Sequence, residues 1–116
     1  MTISLPIDIE TPQQAEALRR NAGDAAQFLK AISHEGRLMI LCHLVSGEKS
    51  VTELETLLQV RQAAVSQQLA RLRSEGLVVS RREGKGIFYS LADEKPKVLL
   101  ECVHGLFCAE SATAEA

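Results

Sequence analysis

Apolar and polar side chains repeat along the chain first with a helical period, then with a shorter, strand-like one, then with a helical period again. Residues 1–10 follow neither and are expected to form a loose arm. The helical period begins at Thr11. Thr11 and Gln14 have the spacing of a capping box, and Pro12 stands at the first helical position, where a missing N–H costs nothing. That helix is expected to reach about Ala31, with a break near Gly23. A second helix, starting at Ser33, carries Leu38, Leu41, Leu44 and Val45 on one stripe until Gly47. Ser50 and Glu53 repeat the capping-box spacing, and Val51, Leu54, Leu57 and Leu58 make a third helix of about two turns.

A brief break at Val60 and Arg61 precedes QAAVSQQLARLRSEG. Here Ala64, Val65, Leu69 and Leu72 are expected to face inward, Gln62, Ser66, Gln67 and Arg73 lie outside the stripe, and Gly76 is a natural left-handed terminator. The period then drops to two. LVVSRREGKGIFYSL reads as a hairpin around EGKG whose loop carries Arg81, Arg82 and Lys85. Asp93 caps a last helix that tolerates Pro96 in its first turn, with Val98, Leu99, Cys102, Val103 and Leu106 as its apolar stripe. SATAEA at residues 111–116 is expected to fray. The predicted fold class is mainly α with a β-hairpin wing, about five helices and two strands, in one domain over residues 11–110.

Composition narrows the function classes. The 116 residues are 46% hydrophobic and 24% charged, which suits one globular domain. No run approaches the ~18 apolar residues of a membrane span, and MTISLPIDIE lacks the basic-then-apolar order of a signal peptide. A cytoplasmic protein without membrane contact is expected. Three cysteines cannot form a complete disulfide framework, so their chemistry is sensing, ligation or packing.

Net charge is −2, which disfavours coating of nucleic acid by bulk positive charge. Locally the balance reverses. From Arg61 to Gly86 there are six basic residues against two acidic ones, a local +4 that leaves −6 elsewhere. Two helices joined by a short turn, then a hairpin, make a winged helix-turn-helix, and one basic face is what phosphates require. Gln62, Ser66 and Gln67 are candidates for base readout, because glutamine can make bidentate hydrogen bonds to adenine. Arg61 and Arg71 are expected on phosphates, and Arg81, Arg82 and Lys85 on the backbone or adjacent minor groove. The expected partner is a double-stranded DNA operator.

The segment from Ile32 to Asp93 resembles the ArsR/SmtB family of winged helix-turn-helix repressors, most closely in HEGRLMIL, in AVSQQLARLRSEGLV and in the wing GKGIFYSL. The resemblance implies a homodimer joined through its first and last helices, which binds a palindromic operator and is released by a chemical signal. It implies no enzyme activity. Many relatives carry a small capping residue where this chain has Arg61. Ser50, Val51 and Thr52 stand where one metal-sensing branch has a Cys-X-Cys pair. Asp93, Lys95, Leu106 and Ala109 stand where another branch has zinc ligands, and lysine, leucine and alanine cannot ligate zinc. No metal or cofactor is therefore expected.

Cys42 and Cys108 fall where the persulfide-sensing members of that family, the BigR and SqrR type, carry two sensing cysteines. The resemblance thus implies a repressor whose inducer is a reactive sulfur species. Cys102, within the apolar stripe, reads as a packing residue. Cys102 and Cys108 lie roughly 9 Å apart along a helix axis and on different faces, beyond disulfide range. His104, one turn before Cys108, can favour a thiolate, against the helix dipole at that end. His34 and His43 read as structural or exposed. Three other readings stand beside this one. They are a metalloid or metal sensor using the same cysteines, a winged helix used only for protein contacts, and a thiol enzyme. The +4 face opposes the second, and the absence of Cys-X-X-Cys opposes a thioredoxin-like version of the third.

Overall fold

The computed structural model describes residues 11–108. The arm expected at 1–10 and the tail expected at 111–116 lie outside the described residues. Five helices and three short strands follow in the order α1 (Pro12–Ile32), α2 (Glu35–Val45), β1 (Lys49–Ser50), α3 (Val51–Leu58), α4 (Gln62–Ser74), β2 (Val78–Glu83), β3 (Gly86–Leu91) and α5 (Glu94–Phe107). None of these helices is long and apolar enough to cross a membrane.

Local capping sets most of the boundaries. Thr11 and Gln14 close a reciprocal capping box at α1, and Ser50 and Glu53 close one at α3. Asp93 caps α5 by accepting from the Lys95 amide at 2.9 Å. The start of α2 differs from expectation. Ser33 finishes α1, donating its hydroxyl to the Lys30 carbonyl, and His34 caps α2 by accepting from Gly36 N–H at Nδ1. Helix α1 is also unbroken at Gly23, an exposed site with open space around it, where glycine costs entropy without removing a hydrogen bond. Helix α3 ends on Gln59 in the left-handed region (φ 56°, ψ 43°), which turns the chain toward α4.

The strands form one antiparallel sheet of order β1-β3-β2. Strand β1 escapes a periodicity argument because it is two residues long. It pairs Lys49 with Tyr89 and Ser50 with Phe88 on β3. The hairpin turn is tight, with Gly84 at φ 60°. Arg81 and Arg82 consequently lie on β2 and not in the loop, and only Lys85 stands at the tip.

Ile40, Leu41 and Leu44 of α2, Leu54 of α3, Val65, Leu69 and Leu72 of α4, Leu77, Val78 and Leu100 make a single core. Ala64, expected inward, is exposed. Helix α5 meets this core through Pro96 and Leu100, whereas Leu106 is 73% exposed and Phe107 75%. Of the stripe read from the sequence on α5, Leu99 packs against this core, Val98, Cys102 and Val103 are half-buried and Leu106 is exposed, while the buried Pro96 and Leu100 lie outside it. Helix α1 behaves similarly: only Ala31 and Ile32 at its end are buried, while Leu18 and Leu29 are exposed. The Cα radius of gyration is 16.6 Å, against about 13 Å for a compact chain of ~100 residues, as the projecting α1 requires.

Candidate nucleic-acid interface and thiol pair

Helices α3 and α4 are linked by Gln59, Val60 and Arg61, the short turn of a helix-turn-helix. Leu54 from α3 and Val65, Leu69 and Leu72 from α4 pack into the core, which fixes which face of α4 looks outward. Gln62, Ser66, Gln67, Arg71 and Arg73 all stand exposed on that helix. Ala63 and Ala70 share the exposed side. Sequence reading passed over them, although small residues between polar ones let a helix approach closely and can contact a thymine methyl.

Arg37 holds α4 from behind. Its Nε donates to the Ala31 carbonyl at 2.6 Å and its Nη1 to Gln68 Oε1 at 3.3 Å, tying α1, α2 and α4 together. Neither residue was singled out in sequence, because the contact joins positions far apart in the chain. Arg61 is the N-cap of α4, and its side chain makes no capping hydrogen bond. Its carbonyl accepts from the Ala64 and Val65 amides.

The basic residues are not equally available. Arg71 pairs with Glu75 at 3.4 Å. Arg81 donates to both oxygens of Glu48, each at 2.7 Å, and to Glu83 at 2.9 Å. These bonds hold the Glu48 carboxyl below its ordinary pKa and the Arg81 guanidinium above its own. Arg61, Arg73, Arg82 and Lys85 carry no ion pair among the described residues.

A second site lies between α2 and α5, where Cys42, Val45, Leu100, Glu101 and His104 line a cleft of about 380 Å³. All three cysteines are unbridged, with Cys42 and Cys108 exposed and Cys102 half-buried. Cys108 is the C-cap of α5 and donates its amide to the His104 carbonyl. It follows Glu101 by seven residues and His104 by four, so it shares their side of α5, the side that faces the Cys42 cleft. The Cys42 pKa is raised from the ordinary 9.0, first by burial and then by the charge of Cys108. Cys102 lies away from that cleft. Among the described residues no three His, Cys, Asp or Glu side chains converge on a metal position.

The family model described as "Bacterial regulatory protein, arsR family" matches residues 34–80, from the α2 cap into β2. The biofilm growth-associated repressor of Agrobacterium fabrum is 47% identical over 105 residues, covering 90% of this chain and 88% of that one. The transcriptional activator HlyU of Vibrio cholerae is 41% identical, covering 84% and 90%. Among solved structures, the transcriptional repressor BigR from Xylella fastidiosa superposes with a TM-score of 0.77 at 43% identity, over 82% of this chain and 97% of that one.

Proposed function

This chain belongs to the ArsR family of bacterial regulatory proteins, and from that premise we propose a homodimeric repressor that reactive sulfur species release from a palindromic operator by bridging Cys42 to Cys108. Membership makes it a DNA-binding transcriptional regulator and not an enzyme. The observation that supports the sensing half is the pair of exposed thiols, Cys42 lining the cleft between α2 and α5 and Cys108 capping the end of α5, close enough for the Cys108 charge to act on Cys42.

The dimer follows from the apolar faces left over by the fold. Leu18 and Leu29 on α1, with Leu106 and Phe107 on α5, are large, exposed and uncovered within one chain. A second copy seated on them would cover both helices and set two α4 helices on successive turns of DNA. Gln62, Ser66 and Gln67 then read bases, and Arg61, Arg82 and Lys85 hold phosphates. Such a regulator acts in the cytoplasm.

In the sensing step each thiolate attacks the sulfane sulfur of a small persulfide, forming a protein S–S bond and releasing the donor as a thiol. The terminal sulfur of one protein persulfide then attacks the cysteine-bound sulfur of the other. Hydrogen sulfide leaves, a trisulfide joins Cys42 to Cys108, and the sulfane sulfur is the only oxidant. The bridge restrains α5 against α2 and alters the setting of the two α4 helices, so operator affinity falls.

Peptide mapping by mass tests this chemistry. The reduced protein is treated with an organic persulfide, hydrogen peroxide or arsenite. A Cys42–Cys108 cross-link carrying one additional sulfur after persulfide alone is expected. Arsenic bound to both thiols with DNA release would establish the metalloid reading instead.

A further inference from the structure

The wing carries three cations, but the sheet treats one of them differently. Arg81 sits directly opposite Phe88 on β3, and Phe88 sits directly opposite Ser50 on β1. Directly paired residues share a face, which places Ser50, Phe88 and Arg81 on one side of the sheet, and Glu48, just before β1, meets Arg81 through two hydrogen bonds. The Arg81 guanidinium lies 4.8 Å from the Phe88 ring centroid and reaches across it to Glu48. Gly86 leaves room for that ring, since a Cβ there would lie 3.0 Å from it. Arg82, one residue on, points to the other face and has no partner among the described residues.

We infer that Arg81 is a positioning residue that staples β2 to Glu48 across β3, and so fixes the wing relative to the helix-turn-helix, while Arg82 and Lys85 provide the wing's phosphate contacts. Three facts converge on it. The two bonds to Glu48 are short and bidentate, the form in which a carboxylate pair has defined geometry. The partner is non-local, 33 residues away. Ser50, two residues past the staple's anchor, is also the N-cap of α3, so the pair links the wing to the first helix of the DNA-binding unit. A guanidinium already shared by Glu48 and Glu83 gains little by meeting a phosphate.

The inference rests on the DNA-binding reading of the wing, and two readouts keep the two apart. The first is affinity, as a function of salt, for the duplex that the wild-type chain enriches from a random-sequence pool. Arg82→Ala is expected to flatten the slope of log affinity against log salt by about 1 per chain. Arg81→Ala is expected to leave that slope unchanged while weakening binding by roughly threefold at every salt concentration. Glu48→Ala should weaken binding equally and make Arg81→Ala silent, and the exchange Glu48→Arg with Arg81→Glu should restore affinity. If Arg81 instead held a phosphate, Glu48→Ala would free it and strengthen binding, and Arg81→Ala would flatten the slope as Arg82→Ala does. Either result overturns the inference.

The second readout needs no DNA. Amide hydrogen exchange across β2 and β3 should accelerate in Arg81→Ala and Glu48→Ala and not in Arg82→Ala. Unchanged protection in the first two overturns the staple. A wild-type chain that enriches no duplex, with the exchange pattern as expected, sinks the DNA reading of the wing and leaves the staple standing.

Discussion

Replacing Arg61 with serine should separate stability from DNA binding, because the two pull in opposite directions at that position. Helices α1, α2, α3 and α5 each have a side chain that caps their first turn, and α4 alone has none. The Arg61 backbone already has the extended geometry of a cap (φ −66°, ψ 148°), so a serine hydroxyl there can accept from the Ala63 amide. That bond is worth about 1 kcal/mol, which raises the melting temperature by about 4 °C in a domain of this size. The same change removes a cation proposed to meet a phosphate. With two chains in the dimer, the salt slope should flatten by about 1.8, so that over a roughly fourfold rise in salt the wild type loses about twelvefold more affinity than the variant. Thermal melts and anisotropy titrations of one preparation read both numbers. An unchanged melting temperature would refute the reasoning about the empty cap, and an unchanged slope would refute the phosphate contact.

Other positions give independent checks. Leu69→Ala, at a site with no exposed surface in the middle of α4, should cost ~2–5 kcal/mol in urea unfolding, and a loss below ~1 kcal/mol would show that the core does not depend on α4 as described. Leu106→Glu places a charge on the exposed apolar face of α5 and should convert the dimer to monomer in sedimentation velocity. A variant that sediments as a wild-type dimer would exclude that face from the interface. Raised by burial and by Cys108, the Cys42 thiol is less ionised at neutral pH than an ordinary thiol. Its alkylation should therefore reach half-maximum above pH 9.0 and move toward the ordinary value in Cys108→Ser. A half-maximum at or below pH 9.0, or one unmoved in Cys108→Ser, would contradict this.

Much of the fold is legible in local chemistry. Thr11, Ser50 and Asp93 announce their helices because a cap is a bond between residues three or fewer apart. The wing is legible because β-branched and aromatic residues stand on both sides of a glycine-marked turn, six residues to each strand. What escapes has a common cause in distance along the chain. Strand β1 has no period of its own and exists only because β3 lies beside it. The Glu48–Arg81 and Arg37–Gln68 contacts join residues 33 and 31 positions apart. The stripe on α5 is visible in sequence, but apolar spacing cannot say whether the chain's own core or a second copy will cover it. Leu99 goes to the first together with Leu100, which the stripe left out, and Leu106 stays open. The same holds for the thiols: their positions are legible, while the cleft that brings Cys42 toward the Cys108 side of α5 arises from the packing of α2 on α5.

If sulfur joining Cys42 to Cys108 turns DNA binding off, affinity for the enriched duplex must change on treatment with an organic persulfide. A large loss of affinity after persulfide, reversal by dithiothreitol, and no loss in Cys42→Ser or Cys108→Ser are expected. Undiminished binding by the persulfide-treated wild type, or equal loss in either serine variant, would contradict it.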